Sequence, residues 1–250
     1  ISCLLDKLDE LLPSKPVTNS VIGSYQHVIV STTPGKEWSR ENSEKFTTLS
    51  LEILGQKDIN DSFKAFKIPD VISGYNTDEV GQVDAERYNS ILTAPDVLIA
   101  QLKRFDFDLQ TCERKKINSE YKFPINIDIS PIMAENNHGE PANYELAGVI
   151  IHTGSASGGH YYSYVRDIHN QDQWLNCNDS SVSRITEAYV LNNSFGGQYL
   201  SKHTERSSGN AVEKMVERCD NAYMLVYQKS DRPKSNFDVE PICTMPPVMI

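Results

Sequence analysis

The chain has 250 residues, 39% hydrophobic and 23% charged, the composition of a globular protein long enough to bury one large core or two ordinary ones. Its net charge of -10 disfavours non-specific nucleic-acid binding, which needs clustered Lys and Arg on phosphate, and favours a basic partner. With no apolar run near the roughly 18 residues of a membrane span, no secretory leader, and five scattered cysteines lacking any Cys-x-x-Cys pair, no membrane association is expected; reduced thiols and an intracellular location are.

Ser2 to Leu12 has the spacing of an amphipathic helix, with Leu4, Leu5, Leu8, Leu11 and Leu12 on one face. A chain that opens inside such a helix is expected to lack its natural beginning. Pro13 to Ser20 reads as a turn-rich connector, Gly23 to Ser31 as a strand, and Thr32 to Ser43, polar with Pro and Gly, as an exposed loop. Phe46 to Leu54 sets Thr47, Leu49, Leu51 and Ile53 against Phe46, Thr48, Ser50 and Glu52, the period of two of a half-buried strand. Asn60 to Phe66 suits a short helix. A second strong strand signal runs from Asp96 to Phe107, entered through Pro95. Tyr144 to Ile151, His160 to Arg166, Gln173 to Asn178 and Ala222 to Gln228 read as further strands, and Thr186 to Leu191 and Asn210 to Asp220 as helices. The tail from Ser230 onward has four prolines and no period, and reads as linker. The class is α+β, with most of the sheet in the second half.

The segment Asp167 to Asp172 is turn-rich and flanked by alternating residues, which predicts a β-hairpin. A turn centred near residues 169 and 170 gives antiparallel partners whose numbers sum to about 339. His160 then faces the region of Asn178 and Asp179. A catalytic histidine needs such a partner, because a hydrogen bond to one ring nitrogen fixes the tautomer and aims the other at a nucleophile. The local pattern fits a strand-end histidine with a purely structural hydrogen bond as well, and does not decide between the two.

The stretches "LKRFDFD", "KFPINIDI", "GVIIHTGSASGGHYYSYVRD", "WLNCNDSSVSRIT", "FGGQY" and "NAYMLVYQK", in this order, resemble the second half of the ubiquitin-specific protease catalytic domain, most of all its fat-facets-like subgroup. The resemblance runs from about residue 1 to 229. It implies a papain-like cysteine protease fold of fingers and palm with most of the thumb missing. Residues 1–20 would form a helix and connector, 21–95 a fingers-like region, 96–229 the palm, and 230–250 a Pro-rich tail. By the resemblance His160 is the general base, Asn178 the third catalytic residue, Asp179 an adjacent acid, and Trp174 a packing anchor. Gly158, Gly159 and Tyr161 line the narrow channel for the ubiquitin tail, where glycines leave room, and Phe105 to Ile117 forms a second loop over it.

Two features depart from the family. Nothing matches its Gly-Leu-x-Asn-x-Gly-Asn-Thr-Cys box, and "ISCLLDKLDELL" resembles a helix downstream of that box, so Cys3 is expected to pack as a small hydrophobe. The same is expected of Cys112, Cys177, Cys219 and Cys243. The four zinc-ligand positions of many members fall near Thr33, Lys36, Thr77 and Val80, which supply no thiolate, so neither a structural metal nor a cofactor is expected.

The resemblance implies a deubiquitinase that hydrolyses the bond after the C-terminal glycine of ubiquitin, with ubiquitin and ubiquitinated proteins as partners. The chain by itself is expected to be inactive without the nucleophile. A catalytically dead ubiquitin-binding scaffold is the alternative, and a protease for another ubiquitin-like modifier the third possibility.

Overall fold

Leu49, Leu51 and Ile53 are buried while Ser50 and Glu52 are exposed, the alternation that the sequence predicts, although the strand that carries it is short. The computed structural model describes residues 5, 7, 10, 16–110, 112–135, 142–167, 170, 173–204 and 211–231. In chain order these form α1 (Pro16–Val21), β1 (Gly23–Ser31), β2 (Ser39–Phe46), β3 (Leu49–Leu51), α2 (Ile59–Lys67), β4 (Asp70–Thr77), β5 (Gly81–Thr93) and β6 (Val97–Leu102). Then come β7 (Phe105–Asp108), β8 (Glu113–Lys116), β9 (Asn126–Asp128), a 3-10 turn (Ser130–Ile132), β10 (Asn143–Ser155), β11 (Gly158–Arg166) and β12 (Trp174–Asn178). The last elements are β13 (Ser181–Ile185), α3 (Glu187–Ser194), β14 (Gln198–Thr204), β15 (Ala211–Glu217) and β16 (Asn221–Lys229).

Four antiparallel strands in the order β2-β1-β5-β4 make one sheet. The larger sheet runs β13-β12-β11-β10-β16-β6-β3, with β9 also on β10, and is antiparallel except where β3 lies parallel to β6. The core fills one side of it: Leu146, Val149 and Ile151 of β10, Leu225 and Tyr227 of β16, and Leu98, Ala100 and Leu102 of β6 pack with Ile59 and Phe63 of α2. Asp58 caps α2, its carboxylate accepting from the amides of Asn60 and Asp61 at 2.9 and 3.0 Å. Trp174 is fully buried, with the Arg166 guanidinium 5.2 Å from its ring, which suits the anchor expected there.

Several expectations change. Pro16–Val21, read as connector, is helical; Val17 and Val21 pack with Leu5 and Ile99, and Pro16 opens the helix, where its missing N–H costs nothing. Of the predicted opening helix, Leu5, Lys7 and Glu10 are helical, with Lys7 Nζ 2.9 Å from Glu10; Cys3, Leu4, Leu8, Leu11 and Leu12 lie outside the described residues, as do Cys243 and the tail beyond residue 231. Ser39–Phe46, assigned largely to a loop, is β2. Its side chains are exposed up to Phe46, so no hydrophobic period marks it, and pairing with β1 holds it up to its one buried residue, Phe46. Asn210 to Asp220, predicted helical, instead contains β15, because pairing with β14 overrides local preference. Cys112 and Cys219 are exposed and Cys177 half-buried, against the buried role expected of them, since Cys112 sits at a turn and Cys219 in the link between β15 and β16.

The four positions expected to correspond to zinc ligands lie at the β1–β2 and β4–β5 connections, which hydrogen bonds from Thr33 and Lys36 tie to the start of β5. Two hydroxyls, an ammonium and an isopropyl group do not fit a zinc site. They act in other ways: Thr33 Oγ1 accepts from Asp84 N at 2.8 Å, Lys36 Nζ donates to Gln82 O at 2.8 Å, and Thr77 Oγ1 donates to Gly81 O at 2.8 Å. Trp38 donates to Glu79 at 2.9 Å, packs 5.5 Å from the ring of Tyr75, and with Val80 covers Ile29, Val83 and Ala85. No helix among the described residues is long and apolar enough to cross a membrane.

Candidate active site

The site is built on two hairpins. In the first, Ala156 and Ser157 turn β10 into β11 so that Thr153 pairs with His160 and Gly154 with Gly159. Gly154 has φ +113, a conformation open to glycine, and a side chain there would meet Gly158 O at 2.6 Å. In the second, Ser163 pairs with Cys177 and Tyr164 with Asn176, one residue from the register the sequence predicts. Continuing that ladder brings the start of β11 beside the end of β12, where Asn178 pairs with Ser181 and Asp179 makes the turn into β13 at φ 50. Aspartate tolerates that region better than most residues.

His160, Asn178 and Asp179 therefore meet. His160 Nε2 lies 2.6 Å from Asn178 Oδ1 and 3.7 Å from Asp179 Oδ2, and the ring stacks over Tyr162 at 6.4 Å between centroids. An amide oxygen only accepts, so the bond places the ring proton on Nε2 and leaves Nδ1 with a free lone pair. The imidazole is 44% exposed and the Asp179 carboxylate 79%, so the acid is solvated and the amide makes the closer contact.

Next to this group is a groove of about 500 Å³ lined by Phe105, Gly158, Gly159 and Tyr161, all expected there, and also by Asp106, Phe107, Arg114, His152, Tyr223 and the Ser155–Ser157 turn. Its second wall is the β7–β8 hairpin rather than a loop. Strand alternation sets Tyr161 toward the groove and His160 toward Tyr162 on the other face. Between them the strand starts at Gly158 and Gly159, which carry no side chain and line the groove.

His152 is the residue that the sequence reading passed over. It is 3% exposed, lies across from Tyr161 with ring centroids 4.7 Å apart, and meets Phe105 edge-on at 5.1 Å. Burial, and secondarily the charge of Lys116, hold the pKa of this groove-lining ring below the ordinary histidine value. The two-residue turn already fixed its register opposite Tyr161 and could have revealed it.

The adjacent glycines differ. A Cβ on Gly158 would meet nothing within 4 Å, whereas one on Gly159 would lie 2.1 Å from Thr153 O and 2.4 Å from His152 Nε2. Gly159→Ala should therefore cost about 1–3 kcal/mol of stability, and Gly158→Ala less than about 0.5 kcal/mol. Parallel chemical denaturation checks this, and equal midpoints for the two variants would contradict the packing described.

Residues 1–227 match the family model described as ubiquitin carboxyl-terminal hydrolase. The chain is 26% identical over 262 residues to human ubiquitin carboxyl-terminal hydrolase 34, covering 93% of this chain and 7% of that protein. It is 29% identical over 248 residues to ubiquitin carboxyl-terminal hydrolase 15 of Saccharomyces cerevisiae, covering 92% of this chain and 20% of that protein. Among solved structures, the SAGA Ubp8/Sgf11/Sus1/Sgf73 DUB module bound to ubiquitin aldehyde superposes with a TM-score of 0.65 at 25% identity, over 85% of this chain and 42% of that one. The chain thus spans less than half the length of each of these relatives, and the shared fold is the papain-like α+β architecture that the resemblance implies.

Proposed function

The chain belongs to the ubiquitin carboxyl-terminal hydrolase family, and from that premise we propose that it carries the histidine side of a cysteine-type deubiquitinase acting on the isopeptide or peptide bond after the C-terminal glycine of ubiquitin. The observation that carries this reading is the 2.6 Å contact of His160 Nε2 with Asn178 Oδ1 beside a groove with glycines at its edge. His160 Nδ1 takes the thiol proton of a cysteine elsewhere in the full open reading frame, and the thiolate attacks the carbonyl carbon of the scissile bond. The imidazolium then returns the proton to the departing amine, and water, deprotonated by the same ring, hydrolyses the thioester.

Asn178 holds the ring but carries no charge, so Asp179 shares the stabilisation of imidazolium across 3.7 Å. Gly158, Gly159, Tyr161 and Phe105 bind the ubiquitin tail, which crosses the strand start to reach His160. In this proposal the four-stranded sheet within residues 21–95 is the fingers, residues 96–229 are the palm, 230–250 are a linker, and the protein acts inside the cell on ubiquitinated proteins.

The test is hydrolysis of ubiquitin–aminomethylcoumarin by the product of the full open reading frame. Asn178→Ala should lower kcat about 100-fold with little change in KM, and Asp179→Ala should lower it less. Unchanged turnover in Asn178→Ala would refute the assignment. Ubiquitin binding without cleavage by the unsubstituted protein would refute the hydrolase reading in favour of a binding role.

A further inference from the structure

Lys116 ends β8 directly opposite Phe105, the groove-wall residue that packs on His152 and on Tyr223. It is 8% exposed, and its ammonium donates to three backbone carbonyls: His152 O at 2.9 Å, Gly154 O at 3.2 Å and Cys219 O at 2.5 Å. His152 and Gly154 belong to the end of β10 that floors the groove. Cys219 lies in the link between β15 and β16, two residues before Asn221, which pairs with His152. A single side chain thus joins wall, floor and back of the groove. Three protons match three acceptors, so the ammonium can hold all three only while it is charged.

We propose that Lys116 is a positioning residue for the substrate tail, a tripod that sets the spacing between the β7–β8 wall and the groove floor. The inference rests on the groove being the binding site for the ubiquitin tail. Burial, the largest cause, pushes the Lys116 pKa down to about 8, helped by Arg104 and opposed by Cys219, Asp220 and Glu217; His152, on the floor, feels its charge in turn. Above that pH a neutral amine has two protons for three carbonyls, and one leg of the tripod is lost.

The direction for global stability is the opposite. The folded pKa lies below the unfolded value, so the unfolded chain binds more protons between the two and stability rises with pH across that window. A groove that loosens while the fold does not weaken separates positioning from mere structural support.

The experiment uses the product of the full open reading frame, unsubstituted and as Lys116→Met and Lys116→Arg. In ubiquitin–aminomethylcoumarin hydrolysis at pH 7, Lys116→Met should raise KM about tenfold with kcat within about threefold. The unsubstituted protein should show KM rising between pH 7.5 and 9 (about threefold) without loss of melting temperature, and Lys116→Arg, charged throughout, should show a flat profile. Hydrogen exchange supplies a readout that needs no substrate: peptides spanning 152–160 and 217–221 should exchange faster in Lys116→Met, those of the four-stranded sheet should not. If Lys116→Met does not fold, the Lys116→Arg profile decides. Cleavage by Lys116→Met with an unchanged KM overturns the proposal, as does unchanged exchange in that variant whether or not ubiquitin is cleaved. Failure of the unsubstituted protein to cleave, with exchange altered as expected, overturns the hydrolase reading and leaves the tripod standing.

Discussion

Replacing His160 with alanine should lower kcat for ubiquitin–aminomethylcoumarin by about a thousandfold and leave the dissociation constant for ubiquitin within about twofold. The separation follows from where the ring stands. Tyr161 and Gly159, its neighbours, line the groove, whereas the imidazole lies on the other face of β11, against Asn178 and Tyr162. Losing it removes the base without removing a groove wall. Nor should the fold suffer: the side chain is 44% exposed, and substitutions at such positions away from special features change stability by about 0.5 kcal/mol or less. Added imidazole, which can enter the space left open to solvent, should restore part of the rate. The readouts are steady-state kinetics, ubiquitin titration calorimetry and thermal melting on the same preparations. A thousandfold loss of binding alongside the rate would mean that His160 holds substrate rather than protons. An unchanged kcat would remove it from the chemistry altogether.

The elements most legible in the sequence are those whose apolar residues enter the core. Tyr144, Leu146, Val149 and Ile151 of β10, and the Leu225–Tyr227 pair of β16, are buried in the core, and these strands stood out in the sequence. β2 exposes every residue but Phe46, and much of β5 between Ala85 and Ile91 is exposed or half-exposed, so pairing within the four-stranded sheet left no period to find. The meeting of His160 with Asn178 was legible because it depends on a turn and a count along two strands, and a one-residue error did not separate them. The β14–β15 ribbon was not, because Leu200 and Met215 pair across it and yet remain 52% and 53% exposed, which leaves no buried apolar face to read among the side chains described there. Hidden most completely were the buried cations. Lys116 and Arg104 look like solvated charges in "ERKK" and "LKRF", and only carbonyls distant in sequence explain why they are inside.

Arg104→Met should destabilise the chain by about 3–5 kcal/mol, a melting temperature lower by on the order of 10 °C. Arg104 interrupts what the sequence presents as one strand from Asp96 to Phe107, and its side chain is fully buried. Nε donates to Ala222 O at 3.1 Å, Nη1 to Ile117 O at 3.0 Å and Ser119 O at 2.9 Å, and Nη2 to Phe195 O at 3.3 Å, while the guanidinium lies 5.9 Å from the ring of Tyr121. Burial pushes its pKa down to about 10, so at neutral pH the cation is retained and its desolvation is offset by those four carbonyls. Methionine fills much of the volume and satisfies none of the oxygens. Phe195 O keeps the bond from Tyr121 N at 2.9 Å, so the cost falls on Ala222, Ile117 and Ser119. Lysine, with one compact head, should recover part of the loss, because it cannot span carbonyls placed for a planar fork. Differential scanning calorimetry on the three proteins measures this directly, and a melting temperature for Arg104→Met within about 2 °C of the original would show that the carbonyls find other partners. Because Ile117 follows Lys116 and Ala222 precedes Tyr223, the same substitution should release the groove's wall from its back before the larger sheet unfolds. Activity should then fall at a lower temperature than the global transition, the order required if the buried arginine holds the site's frame and not only the core.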